Sequence, residues 1–204
     1  DQPKVNRALK YIVTKNIINC GSITALHNLR DKGLNGEIII LNFANAMFPG
    51  GAYIIGGNAQ EESLCRASML YYSLKYGKHY YNYNRMHIMP TYSDIMIYSQ
   101  DIPVIRNDDG VLLKNPATCS FITSPAVNRR FAKFFYSSSK INEIMDNRIR
   151  NIICLTAQKK PKAVILGAFG CGVFANKREF VYSTFEKYIN MYIDDEIQVI
   201  FAVK

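Results

Sequence analysis

Apolar residues along this chain follow two spacings. Short runs dense in β-branched residues, such as EIIILNF at 37–43 and KAVILG at 162–167, are separated by segments in which apolar residues recur every three or four positions. The first spacing predicts strands buried on both faces, the second amphipathic helices, and their alternation predicts an α/β fold with helices covering a sheet. Strands are expected at 11–16, 37–43, 94–99, 118–124, 162–166 and 196–203. ITALHNLRDKG predicts a helix closed by Gly33, and AQEESLCRASMLYYSL a helix starting near Gln60. From Ser139, the residues Ile141, Ile144, Met145, Arg148, Ile149, Ile152 and Ile153 mark one helical face. Phe180, Val181, Phe185, Tyr188 and Ile189 mark another over 177–192. The segment 75–92, rich in Tyr and Asn, has no clean period and is expected to be an ordered loop. Its aromatics, interleaved with Lys and Arg, could stack on bases; more often such residues cover a core edge with their polar tips outward.

Composition narrows the class. At 204 residues and 49% hydrophobic, the chain is long enough for one substantial core, and one domain over 1–204 is expected. The formal charge of +9 puts a positive field over the surface, which attracts anions such as nucleic acid, nucleotides or phosphate polymers; a Lys-rich composition inherited from an AT-rich genome would give the same charge. Cysteines 20, 65, 119, 154 and 171 are odd in number and form no CxxC pair, so neither a zinc site nor a disulfide framework is expected. A reducing compartment follows, cytoplasmic or nuclear, in the host cell for a viral source. The first ten residues carry no apolar run of signal type, and the longest apolar stretch, 163–175, falls short of the ~18 residues of a membrane span, so no membrane association is expected.

Candidate chemistry concentrates after strand 37–43, in PGGAYIIGGNAQEES at 49–63. The end of a buried strand is where ligands of α/β sheets bind. Gly50 and Gly51, then Gly56 and Gly57, let the backbone bend sharply and approach a ligand; a plain turn would use glycine the same way. Glu61 and Glu62 then open a helix, where the positive helix end alone would favour them. Neighbours on a helix point about 100° apart, so the two are not expected to face one scissile bond as a glycosidase pair does. One acid would transfer the proton, and the other is free to hold ribose hydroxyls.

A second glycine-rich loop, GAFGCGVFAN at 167–176, joins a strand to a helix. Backbone N–H groups of Gly170, Cys171, Gly172 and Val173 could surround a diphosphate. GCGVFA also fits the GxGxxA dinucleotide form, but only one helix and one strand follow it, too little for a Rossmann unit. Nothing in the sequence pairs Cys171 with a histidine, so a small packed residue is expected there.

LNFANAMFPGGAYIIGGNAQEESLCRAS and GAFGCGVFANKREFV together resemble the two signature segments of microbial-type poly(ADP-ribose) glycohydrolases, and the similarity extends through 97–113 and 122–128. The resemblance implies a three-layer α/β/α macrodomain with a mixed central sheet, acting on the ribose O-glycosidic bonds of poly(ADP-ribose) to release ADP-ribose. It implies Glu62 as catalytic acid and Glu61 as the ribose-holding residue that assists it. Asn45, Gly50, Gly51, Ala52 and Gln60 would line the ribose and phosphate loop; Gly170, Cys171, Gly172 and Val173 would hold the diphosphate; and Phe174 would order the ribose beside the bond cut. No metal and no cofactor are implied. The expected partners are ADP-ribose and poly(ADP-ribose) on modified proteins, with no requirement for direct nucleic-acid binding, and the expected state is a monomer.

The chain departs from the family's three-glycine hallmark at Ala52. A positive φ there would strain an alanine by about 1 kcal/mol or more. This leaves two rival readings, an ADP-ribose reader without catalysis and, from the charge and the Tyr-rich segment, a single-strand nucleic-acid-binding protein.

Overall fold

The computed structural model describes residues 11–204; the first ten, read above as lacking a signal-type run, lie outside the described residues. Strands β1 (Ile17–Ile18), β2 (Ile38–Phe43), β3 (Ile97–Arg106), β4 (Leu112–Ser124), β5 (Ala163–Leu166) and β6 (Gln198–Ala202) form one sheet in the order β1-β6-β5-β2-β4-β3. All neighbours run parallel except β3 and β4, which form an antiparallel hairpin. Helices α1 (Ser22–Asp31), α2 (Gln60–Ala67), α3 (Leu70–Leu74), α4 (Lys78–Met86), α5 (Arg129–Ala132), α6 (Ser138–Lys159) and α7 (Arg178–Tyr192) cover it.

The period of two in β2 divides its side chains between two cores. Ile39 and Leu41 pack with Met145, Ile149 and Ile152 of α6 and Val181 and Phe185 of α7. Ile38 and Ile40 pack with Leu26 of α1, Leu64 of α2, Leu70 of α3 and Tyr80 of α4. Every one of these side chains is at most 1% exposed, and each such burial contributes about 1.5–3 kcal/mol. This is the three-layer α/β/α arrangement with a mixed sheet that the sequence led one to expect.

The departures have local causes. Residues 11–16 do not form a strand: Val13–Lys15 is a short 3-10 turn and only Ile17–Ile18 joins the sheet. Side chains of α7 occupy the backbone groups instead, with Tyr11 N–H donating to Asn190 Oδ1 (2.7 Å), Asn190 Nδ2 to Tyr11 O (2.9 Å) and Val13 N–H to Glu186 Oε2 (3.2 Å). The helix expected to run on from Gln60 breaks at Ser68, which adopts extended dihedrals and bridges Val104, while Met69 N–H donates to Pro103 O. The segment expected as a loop contains α4, whose buried Tyr80, Tyr81 and Asn84 recur at helical spacing. The β3–β4 hairpin extends well beyond the expected strands because its outer part is exposed and carries Pro103, which an edge strand tolerates.

Two connections place the site. After β2 the chain enters α2, which packs in one core; after the adjacent β5 it enters α7, which packs in the other. Connections that leave neighbouring parallel strands for opposite faces open a crevice at the strands' carboxyl ends. Both glycine-rich loops lie there.

Candidate functional site

The three polar residues that open α2 each have a separate task. Gln60 completes the sheet where β5 ends: its Oε1 accepts from Phe43 N–H (2.9 Å) and its Nε2 donates to Leu41 O (2.8 Å), both on β2. The amide thus substitutes for a strand neighbour and fixes the start of α2 against β2. Glu61 is 2% exposed. Its Oε2 accepts from Asn45 N–H (2.6 Å), its Oε1 accepts from Asn42 Nδ2 (3.2 Å), and Gly50 N–H also donates to the carboxylate. Burial pushes its pKa up to about 8; the Asn45, Asn42 and Gly50 donors oppose the rise, and neighbouring Glu62 adds to it. Glu62 is 7% exposed; Oε1 accepts from Ala52 N–H (2.8 Å), and Oε2 is buried with no donor among the described residues.

The expected 100° divergence of the two acids does not keep them apart. Both side chains are long enough to turn toward the same loop, and both end beside Gly51. A Cβ on Gly51 would lie 2.5 Å from Glu62 Oε1 and 3.2 Å from Glu61 Oε2, and its φ is +57°, so glycine is required here twice over. Ala52 has φ −92° and ψ 21°, a conformation open to any residue, so the missing third glycine brings no backbone strain. Asn45 turns its side chain into its own loop, Oδ1 accepting from Met47 N–H (2.8 Å) and Phe48 N–H (2.9 Å).

The 167–176 loop forms the other wall. Gly170 has φ +69°, and a Cβ there would lie 2.4 Å from that of Ala126. Asn176, 4% exposed, fastens the loop to the β4 connection by donating from Nδ2 to Val127 O (2.7 Å) and to Gly170 O (3.1 Å). Of the four N–H groups expected to cradle a diphosphate, that of Cys171 is spent on Ala168 O (3.0 Å), while those of Gly170, Gly172 and Val173 meet no acceptor among the described residues. The Cys171 thiol has its pKa pushed up to about 11 by burial, which suits a packed thiol rather than a nucleophile.

A cavity of about 580 Å³ lies along this wall. The structure brings Gln60, Gly170, Cys171, Gly172, Val173 and Phe174 to its lining, whereas Asn45, Gly50, Gly51, Ala52, Glu61 and Glu62 form the adjoining carboxylate cluster and do not line it. Among the described residues no group of three or more His, Cys, Asp or Glu side chains could hold a metal, and no helix is long and apolar enough to cross a membrane.

Sequence reasoning missed several supports of the site. Asn42 lies in an apolar strand, 0% exposed, and links Glu61 to Thr123 Oγ1 (3.2 Å). Tyr80 of α4 donates from its hydroxyl to Asn45 O (3.3 Å). Arg148, counted in the apolar face of α6, is 1% exposed; it donates to Thr91 O (2.8 Å), Tyr92 O (3.1 Å) and Pro125 O (2.9 Å) and pairs with Asp94 (2.9 Å). It thereby ties the 90–94 segment to the β4 connection. The available signal was a polar residue interrupting an apolar pattern, in Asn42 and Arg148 alike.

The family model "Microbial-type PARG, catalytic domain", PARG being poly(ADP-ribose) glycohydrolase, matches residues 2–107. Poly(ADP-ribose) glycohydrolase from Thermomonospora curvata, solved with the inhibitor ADP-HPD, is 32% identical with a TM-score of 0.86; the match covers 95% of this chain and 77% of that one. The enzyme from Deinococcus radiodurans, solved with ADP-ribose, is 34% identical with a TM-score of 0.84, over 92% of this chain and 76% of that one. No curated protein matches.

Proposed function

The chain belongs to the microbial-type poly(ADP-ribose) glycohydrolases, and we propose that it performs the family's reaction through one carboxyl group, that of Glu62. It is a glycohydrolase of the macrodomain-like α/β class that releases ADP-ribose from poly(ADP-ribose).

One observation carries the role of Glu62: Ala52 N–H fixes one oxygen, and the other is buried without a donor. A desolvated oxygen with no protein partner is suited to carry a proton to a ligand. Glu62 gives that proton to the ribose oxygen as the C–O bond breaks, which leaves an oxocarbenium-like ribose. Water then adds to the anomeric carbon and returns a proton to the Glu62 carboxylate. The products are ADP-ribose and a chain end with a free hydroxyl.

Glu61 has a different task. Burial raises its pKa to about 8, and its carboxyl, fixed by Asn45 and Asn42 beside Glu62, is placed to hold a ribose hydroxyl. The free N–H groups of Gly170, Gly172 and Val173 receive diphosphate oxygens, and Phe174 orders the adjacent ribose. Asn45, Gly50, Gly51 and Gln60 act by holding the carboxylates and the start of α2. ADP-ribose carried on modified proteins is the natural form of the substrate.

The reader without catalysis loses its motive, because Ala52 is unstrained. Of the tyrosines thought able to stack on bases, Tyr80 and Tyr81 are buried while Tyr76 and Tyr83 stay exposed. The test is Glu62→Gln: release of ADP-ribose from poly(ADP-ribose) is expected to be abolished while ADP-ribose affinity by calorimetry stays within about threefold of the parent. A fully active variant would remove Glu62 from the mechanism.

A further inference from the structure

Beyond the loop that carries Phe174 lies a surface that the reaction does not use. α5 and the turn after it carry the sequence RRFAKFFY at 129–136. Its backbone is fastened to the second glycine loop by Arg130 N–H donating to Phe174 O (3.2 Å), and fully buried Ala132 anchors it from below. Outward it presents Phe131, Phe134 and Phe135, 55%, 70% and 64% exposed, next to a loop whose Val173 is 75% exposed. Three phenylalanines left in water within five positions form the kind of patch that marks an interaction site.

The charge within the patch's own segment has one sign, and only at its end does Lys140 pair with an acid, Glu143 (2.8 Å). Arg129, Arg130, Lys133 and Lys140 fall in a segment, 110–142, that contains no Asp or Glu. Arg130 and Lys133 make no ion pair among the described residues, and Lys133 Nζ lies over the Phe134 ring, 5.2 Å from its centre. Exposed aromatic rings between unpaired cations suit a chain that offers flat bases and phosphates in alternation.

We propose that this face is a second subsite for poly(ADP-ribose), holding the unit beyond the bond that is cut: an adenine stacks on Phe134 or Phe135, and its diphosphate pairs with Lys133 and Arg130. The proposal rests on the glycohydrolase reading for its occupant. Continuity supports it, since α5 abuts Phe174, the residue assigned to the ribose beside that bond. Its consequence is a preference for polymer over a single ADP-ribose unit, generated outside the catalytic cluster.

The test uses the full chain with Phe134→Ser and Phe135→Ser combined, Lys133→Ala alone, and Phe134→Trp. For the double variant the KM for long poly(ADP-ribose) is expected to rise about tenfold or more with kcat retained, because a stacking contact is lost. Calorimetric affinity for free ADP-ribose should not change. Lys133→Ala should flatten the salt dependence of polymer binding, and Phe134→Trp should match or improve on the parent. An unchanged polymer KM in a folded double variant overturns the proposal. So does an equal loss of ADP-ribose affinity, which would assign these rings to the main site, or stronger retention of polyadenylate RNA than of poly(ADP-ribose). If the parent failed to cleave polymer at all, the glycohydrolase reading would fall instead, and polymer binding by parent and double variant would still judge the subsite.

Discussion

The two glycine-rich loops look alike in sequence and do opposite things with their backbone. In the first, the N–H groups are spent within the protein: Gly51 donates to Phe48 O, Ala52 to Glu62, Tyr53 to Gly50 O, and Gly57 to Ala52 O. In the second, Gly170, Gly172 and Val173 keep theirs free of acceptors among the described residues. The first loop holds carboxylates; the second leaves donors that the proposed function assigns to a diphosphate. A glycine pattern therefore marks where backbone comes close to something without saying whether that is a side chain or a substrate. What differs is the nearest atom: a carboxylate oxygen at Gly51, and nothing within 4 Å of a Cβ on Gly172.

The largest expected effect breaks this contrast at its strongest point. Gly51→Ala drives a methyl group into Glu62 Oε1 at a φ of +57°. Displacing the acid by about 1 Å should cost about 100-fold or more in ADP-ribose release, and the strained dihedral about 1–3 kcal/mol of stability. The same change at Gly172 should leave stability within about 0.5 kcal/mol. Urea unfolding and an initial-rate assay on both variants suffice, and equal losses would mean that the loops do not differ as described.

How much could be read beforehand follows the same division. The strands at 37–43 and 162–166 were legible because their apolar runs report burial on both faces; 118–124 showed as a strand around Phe121 and Ile122 although Ser120, Thr123 and Ser124 are buried with them. The helix of residues 78–86 was not, because its buried face is Tyr80, Tyr81 and Asn84, which hydropathy scores as half polar. Arg148 was legible only as an interruption, since three of its acceptors are carbonyl oxygens of Thr91, Tyr92 and Pro125, which carry no side-chain signature, and the fourth, Asp94, is distant in sequence. The segment proposed as catalytic stood out by its residue types and spacing. That Glu61 and Glu62 converge on Gly51 depended on side-chain reach, which helical angles alone misjudge. The exposed phenylalanines of 131–135 went unnoticed because sequence does not say which aromatics stay outside.

The next effect sharpens the contrast through pH. Glu61 belongs to the first loop, and burial raises its pKa from 4.5 to about 8. Between those values the unfolded chain has lost the proton that the folded protein retains, so stability is greatest at the acidic end, falls as pH rises, and levels off above about 8. The full change is on the order of a few kcal/mol. Urea midpoints from pH ~5 to ~9 should show the decline in the parent and a flatter line in Glu61→Gln. The second loop, fastened by the neutral amide of Asn176, adds no such slope over this range. If Glu61→Gln kept the parent's slope, the proton would reside elsewhere.

The smallest expected effect concerns Ala52, where this chain departs from the family's third glycine. Its N–H holds Glu62, a contact that glycine would make equally well. With φ at −92° the alanine is unstrained, and its methyl faces Gly57, where an added Cβ would lie 2.6 Å away. Ala52→Gly therefore gains nothing in the folded state and frees the unfolded chain, which should cost about 0.4–1 kcal/mol. Turnover should stay within about twofold of the parent, a barrier change of ~0.4 kcal/mol. A glycine variant many times faster than the parent would show that the methyl obstructs the ligand, and the first loop would then meet substrate with its backbone, as is proposed for the second. A rate unchanged beside lower stability leaves the first loop as the holder of carboxylates, for which an N–H at position 52 is needed and a glycine is not.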